Sequence, residues 1–485
     1  MKHMIVIVDL GTSNIKATVM GEEGRAVSVK TLPTPVFYGK DTMEIDPERL
    51  WTTVLDCCRG AVYNIGESVH IDAIALSSMA ASFLPLDGEG NVLAPAIGWS
   101  DSRSAPYMER YMQEFTAGRC IPGCGQYPLT MYAGFKLQWL AENRPVIFAA
   151  TRKWLNVSEF IYHRLLADSA YVTDFSLASR TMLLDVAGHC WNPAALSYFS
   201  IQPDWLPLPL ASGSVVGTAA PATWEAGLSP DTKIVLGGHD HMCAVAGAGI
   251  TEPGTILNST GTSEAVECLL PSDGEPEKIA ARWLNLECAV LPGRAAAVYY
   301  VGATGRVYQS ACESLRDYES VEWPVPAAEP IFLPPQRAQQ PTVRGKLTRL
   351  SAVFDAQHLT RAMRDGMYYE CRRGIERMTG RNSGSDMLIR CVGGHTKNRF
   401  EMQLKSDATG CAIEISRKED IASKGAFILA AVGCGWFDSI SETSLRLYEK
   451  VEKETIYPDP VRSAQYEEIY RSCYLPQFPD GVNSL

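Results

Sequence analysis

Residues 237–241 place an aspartate between two histidines at the end of the apolar run KIVLGGHDH. Carboxylate and imidazole groups at this spacing fit three roles: metal ligands, a catalytic base with polar neighbours, or a buried turn. A zinc site is disfavoured because no further ligand of the right type lies nearby in the sequence. We therefore interpret Asp240 as the candidate proton acceptor, with capping of a helix that begins at Met242 as the structural alternative.

Two Gly-Thr-Ser turns, at residues 11–13 and 261–263, each follow an apolar strand. Backbone N–H groups at such turns bind anions, and the hydroxyl groups add further donors. An ordinary hairpin turn explains either one alone, but two turns in corresponding places favour phosphate binding. The candidate phosphate contacts are Thr12, Ser13, Gly261 and Thr262.

Two further positions fit a nucleotide. Asp9 ends the first apolar strand, where a carboxylate is costly unless it is paired or bound to a cation. This predicts Mg²⁺ beside a triphosphate, with a turn-capping aspartate as the alternative. Later in the chain, a strand ends in Gly393 and Gly394, which allow a flat ring to approach the backbone, and Asn398 offers a donor and an acceptor to a base edge.

The whole chain has the character of a globular protein with more than one domain. Its 485 residues exceed a single hydrophobic core, and 46% are apolar and 20% charged. A net charge of −11 argues against a nucleic-acid partner, and no apolar stretch is long enough to span a membrane. The 14 cysteines are scattered and no secretory signal precedes them, which predicts reduced thiols and a cytoplasmic protein.

Strands and helices alternate along the chain and predict a mixed α/β fold. The two Gly-Thr-Ser hairpins lie about half a chain apart, which indicates a duplicated domain with the boundary in residues 242–254. We predict domains at 1–247 and 248–485. In the second, residues 321–345 are Pro-rich and predict a long surface excursion, whereas the spacing after residue 355 predicts an amphipathic helix of about 24 residues.

Five motifs in order resemble the FGGY carbohydrate kinases of the actin-like ATPase superfamily. They are D-x-G-T-S from Asp9, W-x-D-x-R from Trp99 to Arg103, G-G-H-D at 237–240, S-T-G-T-S at 259–263, and G-G-x-x-K-N from Gly393. The sequence has neither a P-loop nor a dinucleotide-binding glycine motif, so the nucleotide site is of another kind. The resemblance runs from residue 5 to about residue 436.

The resemblance implies two ribonuclease-H-like domains with an interdomain cleft. Mg²⁺ and ATP would lie in that cleft, and the γ-phosphoryl group would pass to a hydroxyl of a small ketose, sugar acid or polyol, with Asp240 as base. The implied metal ligands are Asp9 and Asp240; the nucleotide contacts are Thr12, Ser13, Lys16, Gly261, Thr262, Gly305, Gln309, Gly393, Gly394 and Asn398; the substrate contacts are Trp99, Asp101, Arg103 and His241. A homodimer is possible.

Several alternatives stay open. Asp101 and Arg103 form either sugar contacts or a structural ion pair, His239 reads as a packed neighbour, and His241 is either a sugar donor or a structural group. Many relatives carry polar sugar-gripping residues where this chain has Met79, Ala80 and Ala81. A non-catalytic sugar or nucleotide sensor is therefore the second hypothesis. An ATPase acting on proteins, of the actin or Hsp70 kind, fits the Gly-Thr-Ser turns but not the other motifs.

Overall fold

The computed structural model describes residues 2–66, 68–115, 121–261, 264–270, 275–302, 329–334, 345–350, 356–380, 387–417 and 420–478. Three of the predicted nucleotide contacts, Thr262, Gly305 and Gln309, lie outside these residues. Among the described residues, no helix combines the length and the apolar character needed to cross a bilayer.

The first half of the chain alternates strands and helices. Its strands are β1 (Lys2–Leu10), β2 (Asn14–Met20), β3 (Ala26–Pro33), β4 (Val36–Tyr38), β5 (Met43–Ile45), β6 (Val69–Ser78), β7 (Phe83–Leu86), β8 (Ala96–Ile97), β9 (Lys153–Asn156), β10 (Val172–Asp174), β11 (Leu184–Asp185), β12 (Cys190–Trp191), β13 (Leu208–Leu210), β14 (Val215–Thr218) and β15 (Lys233–His239). Its helices are α1 (Pro47–Tyr63), α2 (Ala105–Glu114), α3 (Ala133–Asn143), α4 (Pro145–Ala150), α5 (Val157–Leu165), α6 (Phe175–Ser179), α7 (Pro193–Phe199) and α8 (Asp240–Gly247).

The second half repeats this alternation. Its strands are β16 (Thr255–Thr260), β17 (Glu264–Leu269), β18 (Asn285–Cys288), β19 (Ala295–Gly302), β20 (Ile331–Leu333), β21 (Lys346–Thr348), β22 (Leu388–Val392), β23 (Ala412–Ser416) and β24 (Lys453–Ile456). Its helices are α9 (Pro276–Ala281), α10 (Ala356–Thr379), α11 (Arg399–Thr409), α12 (Ile421–Gly433), α13 (Ile440–Glu449) and α14 (Pro460–Ile469).

The two main sheets share one topology. In the first, the strand order is β14-β15-β6-β1-β2-β3; in the second it is β18-β19-β17-β16-β22-β23-β24. Each has a central hairpin, β1–β2 or β16–β17, whose first strand is followed by two parallel strands and an antiparallel edge strand. The repeat inferred from the two Gly-Thr-Ser hairpins is therefore a repeat of the whole sheet, as the actin-like ATPase fold requires.

The two halves meet where helix α8 crosses helix α12. A Cβ on Gly247 would lie 1.9 Å from the carbonyl oxygen of Ile421, and one on Gly425 would lie 1.8 Å from that of Cys243. Only glycine allows this backbone approach. The small residues of both helices belong to a buried apolar cluster that also includes Ile5 and Ile7 of β1. Helix α12, which is rich in small residues, thus joins the halves at the base of the cleft.

Local signals predicted several elements correctly. Helix α1 begins at Pro47 and is capped by Asp46, whose side chain accepts bonds from the next backbone N–H groups. Helix α10 has the predicted 24 residues. The surface excursion predicted for residues 321–345 is only partly described, and there it is wrong: Ile331–Leu333 forms the buried strand β20, paired with β21 and packed on α10. Its three apolar residues bury their side chains against the helix.

Candidate active site

Asp240 lies at the corner where strand β15 ends and helix α8 begins. The chain reaches this corner through Gly237, where a Cβ would lie only 1.9 Å from the carbonyl oxygen of Leu76 in β6. The expectation that Asp240 caps a helix starting at Met242 is wrong, since the helix starts at Asp240 itself and the preceding His239 makes no side-chain capping bond. The Asp240 carboxylate accepts the N–H of His241 at 2.8 Å, lies 3.1 Å from His239 Nε2 and lines the cleft cavity.

The two flanking histidines both pair with buried glutamates. His241 Nδ1 lies 2.6 Å from Glu267 Oε1, and His239 Nδ1 lies 3.2 Å from Glu287 Oε2. The other nitrogen of His239, Nε2, lies 3.1 Å from Asp240 Oδ1, and the two imidazole rings stack at 4.9 Å. His239 is therefore more than the packed neighbour that the sequence suggested: it contacts the candidate base directly.

These contacts set the charges of the site. Burial opposes protonation of His241, but Glu267 and Asp240 outweigh it and raise the pKa of this histidine to about 9. Burial also opposes ionisation of Asp240, yet the two imidazolium groups lower the pKa of its carboxyl to about 2. The ligand atoms of His239, Asp240 and His241 lie within 4.8 Å of one another. A protonated imidazole has no lone pair for a metal, so the grouping favours a charged carboxylate between two cations.

A buried ion-pair network contacts His239 through Glu287. Arg180 donates to Glu287 at 2.7 Å, and the hydroxyl of Tyr300 donates to the same carboxylate oxygen at 3.0 Å. The Arg180 guanidinium also stacks 4.9 Å from the Tyr300 ring. Burial disfavours the Glu287 carboxylate, but Arg180 and then His239 hold its pKa at about 2. Burial lowers the pKa of His239, but its contacts with Asp240 and Glu287 outweigh burial and raise this pKa above its ordinary value.

Asp9 lies at the same end of the strands of the first sheet as Asp240. It lies in register with Ser77 of β6, and His239 pairs with the next residue, Ser78. Its charge is compensated less completely, because Lys16 Nζ lies 3.6 Å away and pairs more closely with Asp420 of the second half. Burial raises the pKa of Asp9 against the effect of Lys16, and the negative charge of Asp240 raises it further.

The first Gly-Thr-Ser turn is joined to the W-x-D-x-R segment. The N–H of Gly11 closes the hairpin by donating to the carbonyl of Asn14, and the indole N–H of Trp99 donates to the hydroxyl of Thr12 at 2.9 Å. Ser13 is exposed. The candidate phosphate turn and the candidate sugar-stacking residue are therefore fixed to each other, and Lys16 follows two residues into the next strand.

Asp101 and Arg103 form a bidentate ion pair. Arg103 donates through Nε and Nη2 to the carboxylate of Asp101, which is buried and also accepts the N–H of Met43. Arg103 additionally pairs with Glu44 at 2.9 Å and stacks 4.5 Å from the ring of Trp139. These contacts favour a structural ion pair over a sugar contact for Asp101, because they occupy both oxygens of its carboxylate.

The Met79–Ala80–Ala81 segment is a buried turn held by Lys136. Ala81 has a positive φ of 58°, and its carbonyl accepts from Lys136 Nζ at 2.5 Å. The same ammonium group donates to the carbonyls of Ile97 and Gly98, which precede Trp99. Lys136 is fully buried, and burial lowers its pKa to about 7. The residues at the positions where many relatives carry polar sugar contacts are thus apolar and buried, and the Lys136 amine ties their backbone to the tryptophan segment.

The cleft between the two halves contains a cavity of about 770 Å³. Asp240 and His241 line one side, and Gly393, Gly394 and Asp420 line the other. Gly393 has a φ of 104°, and a Cβ there would lie 2.3 Å from the carbonyl oxygen of Thr260, so the ends of β22 and β16 approach closely. This volume lies within the range of small-ligand sites.

The structure describes the surroundings of three more nucleotide candidates, Gly394, Gly261 and Asn398. Gly394 has open space where a Cβ would be. Gly261 directly follows β16. Asn398 is exposed, and its side chain caps helix α11 by accepting the N–H of Glu401 at 3.3 Å, so its carbonyl oxygen is already used.

Sequence reasoning missed the partners of the site residues. Glu267 and Glu287 are buried carboxylates among mostly apolar strand residues, EAVECL and NLEC, and a carboxylate among apolar strand residues is the signal that identified Asp9. Asp420 precedes the small-residue helix α12 and caps it. Nothing local distinguished Arg180, whose partner Glu287 lies 107 residues away.

Comparisons with known proteins agree with this architecture. The family model for the N-terminal domain of the FGGY family of carbohydrate kinases matches residues 4–247, and the model for the C-terminal domain matches residues 257–434. The two lobes and the cleft between them define a kinase of the actin-like ATPase fold. The chain belongs to the FGGY family of carbohydrate kinases.

Individual relatives are distant but match over almost their whole length. The chain is 25% identical to the xylulose kinase of Bacillus subtilis, over 98% of this chain and 97% of the relative. It is 23% identical to the gluconokinase of the same organism, over 90% and 89%. The crystal structure of a xylulose kinase from Lactobacillus acidophilus superposes with a TM-score of 0.86 at 21% identity and covers 98% of this chain and 97% of that one.

Proposed function

We propose that this protein transfers the γ-phosphoryl group of ATP to a hydroxyl of a small ketose, sugar acid or polyol. The observation that carries the proposal is the placement of two carboxylates, Asp9 and Asp240, at the same end of the strands of the first sheet, with Asp240 lining the cleft cavity of about 770 Å³. Phosphoryl transfer needs a cation, in-line placement and a group that receives the hydroxyl proton. The family supports the reaction, and xylulose and gluconate kinases among its relatives support the substrate classes.

Asp240 orients the acceptor hydroxyl and receives its proton. A carboxyl with a pKa of about 2 is a weak base, so it removes the proton late, once the P–O bond is forming. This suits a loose transition state, in which the nucleophile carries little negative charge until transfer is well advanced. His239 and His241 act by keeping Asp240 ionised and fixed in direction.

Asp9 and Asp240 would hold Mg²⁺. Asp9 fits this role because its side chain is only 21% exposed, the Lys16 ammonium group lies 3.6 Å from its carboxylate, and its pKa is raised by desolvation and by Asp240. Hard carboxylate oxygens are the ligands that Mg²⁺ prefers, and the ion usually also takes phosphate oxygens. The ion would supply charge neutralisation on the transferred phosphoryl group.

The remaining nucleotide contacts follow the two hairpin turns and the Gly393–Gly394 strand end. We assign phosphate contacts to Thr12, Ser13, Lys16, Gly261 and Thr262. The base-side residues are Gly305, Gln309, Gly393, Gly394 and Asn398. For Asn398 the amide nitrogen is the group available to a base, because its oxygen caps helix α11.

Substrate contacts are proposed for His241, Trp99, Asp101 and Arg103. The Nδ1 of His241 faces Glu267, which leaves Nε2 as a charged donor for a sugar oxygen. Trp99 offers a ring face to sugar C–H groups while its indole N–H holds Thr12. Asp101 acts through Arg103, since its own oxygens are occupied.

A coupled ADP-release assay over a panel of ketoses, sugar acids and polyols tests this function. We expect turnover on one substrate class that requires Mg²⁺ and domain closure, which excludes water and suppresses ATP hydrolysis. Tight ATP binding without turnover on any member of the panel would instead support a sensor. That alternative is not favoured, because a binding module needs neither Asp9 nor Asp240.

Location and assembly are also proposals. The cysteines that the structure describes are all free thiols, which supports a reducing, cytoplasmic location. The proposed partner is a small sugar or polyol, with no nucleic acid or membrane. A homodimer is a prediction that light scattering of the purified protein tests directly.

A further inference from the structure

A second group of histidines and aspartates lies at the opposite edge of the first sheet. His3 of β1 and His70 of β6 are register partners on parallel strands, and Asp72 lies two residues beyond His70 on the same face of the sheet. Asp231 lies in the loop that precedes β15. With about 3.3 Å per strand residue, His3 lies roughly 20 Å along β1 from Asp9, so this group is separate from the active site.

Its ligand atoms have the spacing of a small coordination site. Tetrahedral Zn²⁺ with bonds of about 2.0–2.2 Å separates neighbouring ligand atoms by about 3.3–3.6 Å. His70 Nε2 lies 3.4 Å from Asp72 Oδ1 and 3.3 Å from Asp231 Oδ2. His3 Nδ1 lies closer to Asp72 Oδ1, at 2.7 Å, but its side chain is 57% exposed and can move outward by the difference.

Both carboxylates are already oriented by the protein. The free oxygen of Asp72, Oδ2, accepts the indole N–H of Trp436 at 2.9 Å, and that of Asp231, Oδ1, accepts the hydroxyl of Ser229 at 2.5 Å. Each aspartate therefore presents its other oxygen to His70. Donors of this kind fix the direction of metal ligands in known sites.

We propose that His3, His70, Asp72 and Asp231 bind one Zn²⁺ ion. Two imidazole and two carboxylate ligands suit Zn²⁺ and disfavour Mg²⁺, which prefers oxygen ligands in an octahedron. With four protein ligands the site is closed, so its role is to stabilise the structure. The ion would join β1, β6 and the loop before β15. Through Trp436 it would also join the segment after helix α12, which packs against the other lobe.

Isothermal titration of the metal-free full-length protein with ZnCl₂ tests the site. We expect one equivalent to bind at this site, a rise in Tm with Zn²⁺ that His70→Gln lacks, and a visible absorption band of tetrahedral Co²⁺ when Co²⁺ replaces Zn²⁺. His70→Gln should lose this equivalent, with an affinity loss above the ~10- to 100-fold that removal of a supporting partner costs. Asp231→Asn, at a 68% exposed side chain, should weaken binding in the same direction without a folding defect.

His189→Asn is the matched control, because His189 is exposed and lies outside the group. It should bind Zn²⁺ as the wild type does. His70→Gln should keep the Mg²⁺-dependent kinase activity, so loss of Zn²⁺ binding and loss of the proposed function are separate results. Equal Zn²⁺ stoichiometry and affinity in wild type and His70→Gln, including no binding in either, would show that these four side chains form surface ion pairs only.

Discussion

Asp9 and Asp240 occupy equivalent places at the ends of two parallel strands, yet their surroundings differ in charge. Asp240 lies between His239 and His241, which lower its carboxyl pKa to about 2. The cation beside Asp9 is the ammonium group of Lys16, which lies farther from the carboxylate. Burial raises the carboxyl pKa of Asp9. The fold itself places positive groups beside Asp240. The charge of Asp9 is compensated less completely, and a bound cation would complete the compensation. The contrast supports our proposal that Asp240 accepts the proton and that Asp9 takes the larger share of Mg²⁺ binding.

The largest expected effect is that of Asp240→Asn on turnover. An amide keeps the shape of the side chain but cannot accept the proton, so kcat should fall by ~10²–10⁴-fold at saturating Mg²⁺ and ATP. The ADP-release assay measures this, with Asp204→Asn, an exposed position, as the matched control. Near-normal turnover in Asp240→Asn would show that another group receives the proton.

Asp9→Asn should act mainly through the metal. Removing one carboxylate ligand should raise the Mg²⁺ concentration for half-maximal activity by at least ~10-fold. Excess Mg²⁺ should restore much of the activity, which it cannot do for Asp240→Asn. The measurement is a Mg²⁺ titration of both variants at fixed ATP. If both lose kcat equally and neither responds to Mg²⁺, the division of roles between the two aspartates is wrong.

The sequence contained the signal for half of this contrast. A carboxylate at the end of an apolar strand predicted that Asp9 needs a cation, and Glu267 and Glu287 are likewise buried carboxylates among mostly apolar strand residues. What it could not provide was the partner, because Arg180 and Glu287 meet only through packing of the two halves. The low pKa of Asp240 depends on His239 and His241, whose own partners Glu287 and Glu267 belong to the second half. It was therefore beyond prediction, although the residue itself was predicted.

The fold follows a similar division. Hairpins, the capped helix α1 and the 24-residue helix α10 were predicted because each has a local signal in spacing or capping. Strand β20 was missed because three apolar residues in a Pro-rich segment have no periodicity. The start of helix α8 was placed two residues late, since no local signal showed that the strand turns directly into a helix at Asp240.

Lys136 is a third buried ionisable group to compare with the two aspartates. Its amine donates to backbone carbonyls instead of to a carboxylate. Burial lowers its pKa in the folded protein to about 7, below the 10.5 of an ordinary lysine, so between these pH values the unfolded chain binds the extra proton. The free energy of unfolding should therefore rise with pH from about 7 towards 10.5, by up to ~1.4 kcal/mol per pH unit from this group. Urea unfolding of the wild type and Lys136→Met over this range checks it. The variant should lack this part of the slope, and identical slopes would contradict the assignment.

The smallest effect concerns the second partner of Lys16. Asp420 is about one third exposed and shares Lys16 with Asp9 across the cleft. In Asp420→Asn the ammonium group should shift fully to Asp9 and compete with Mg²⁺, so half-maximal activity should need more Mg²⁺. Because an exposed pair contributes up to ~1 kcal/mol, the increase should stay within about fivefold. Asparagine keeps the cap of helix α12, where Asp420 accepts the N–H of Ser423, so stability should not change. A lower Mg²⁺ requirement would mean that Lys16 supports metal binding at Asp9 instead of competing with it.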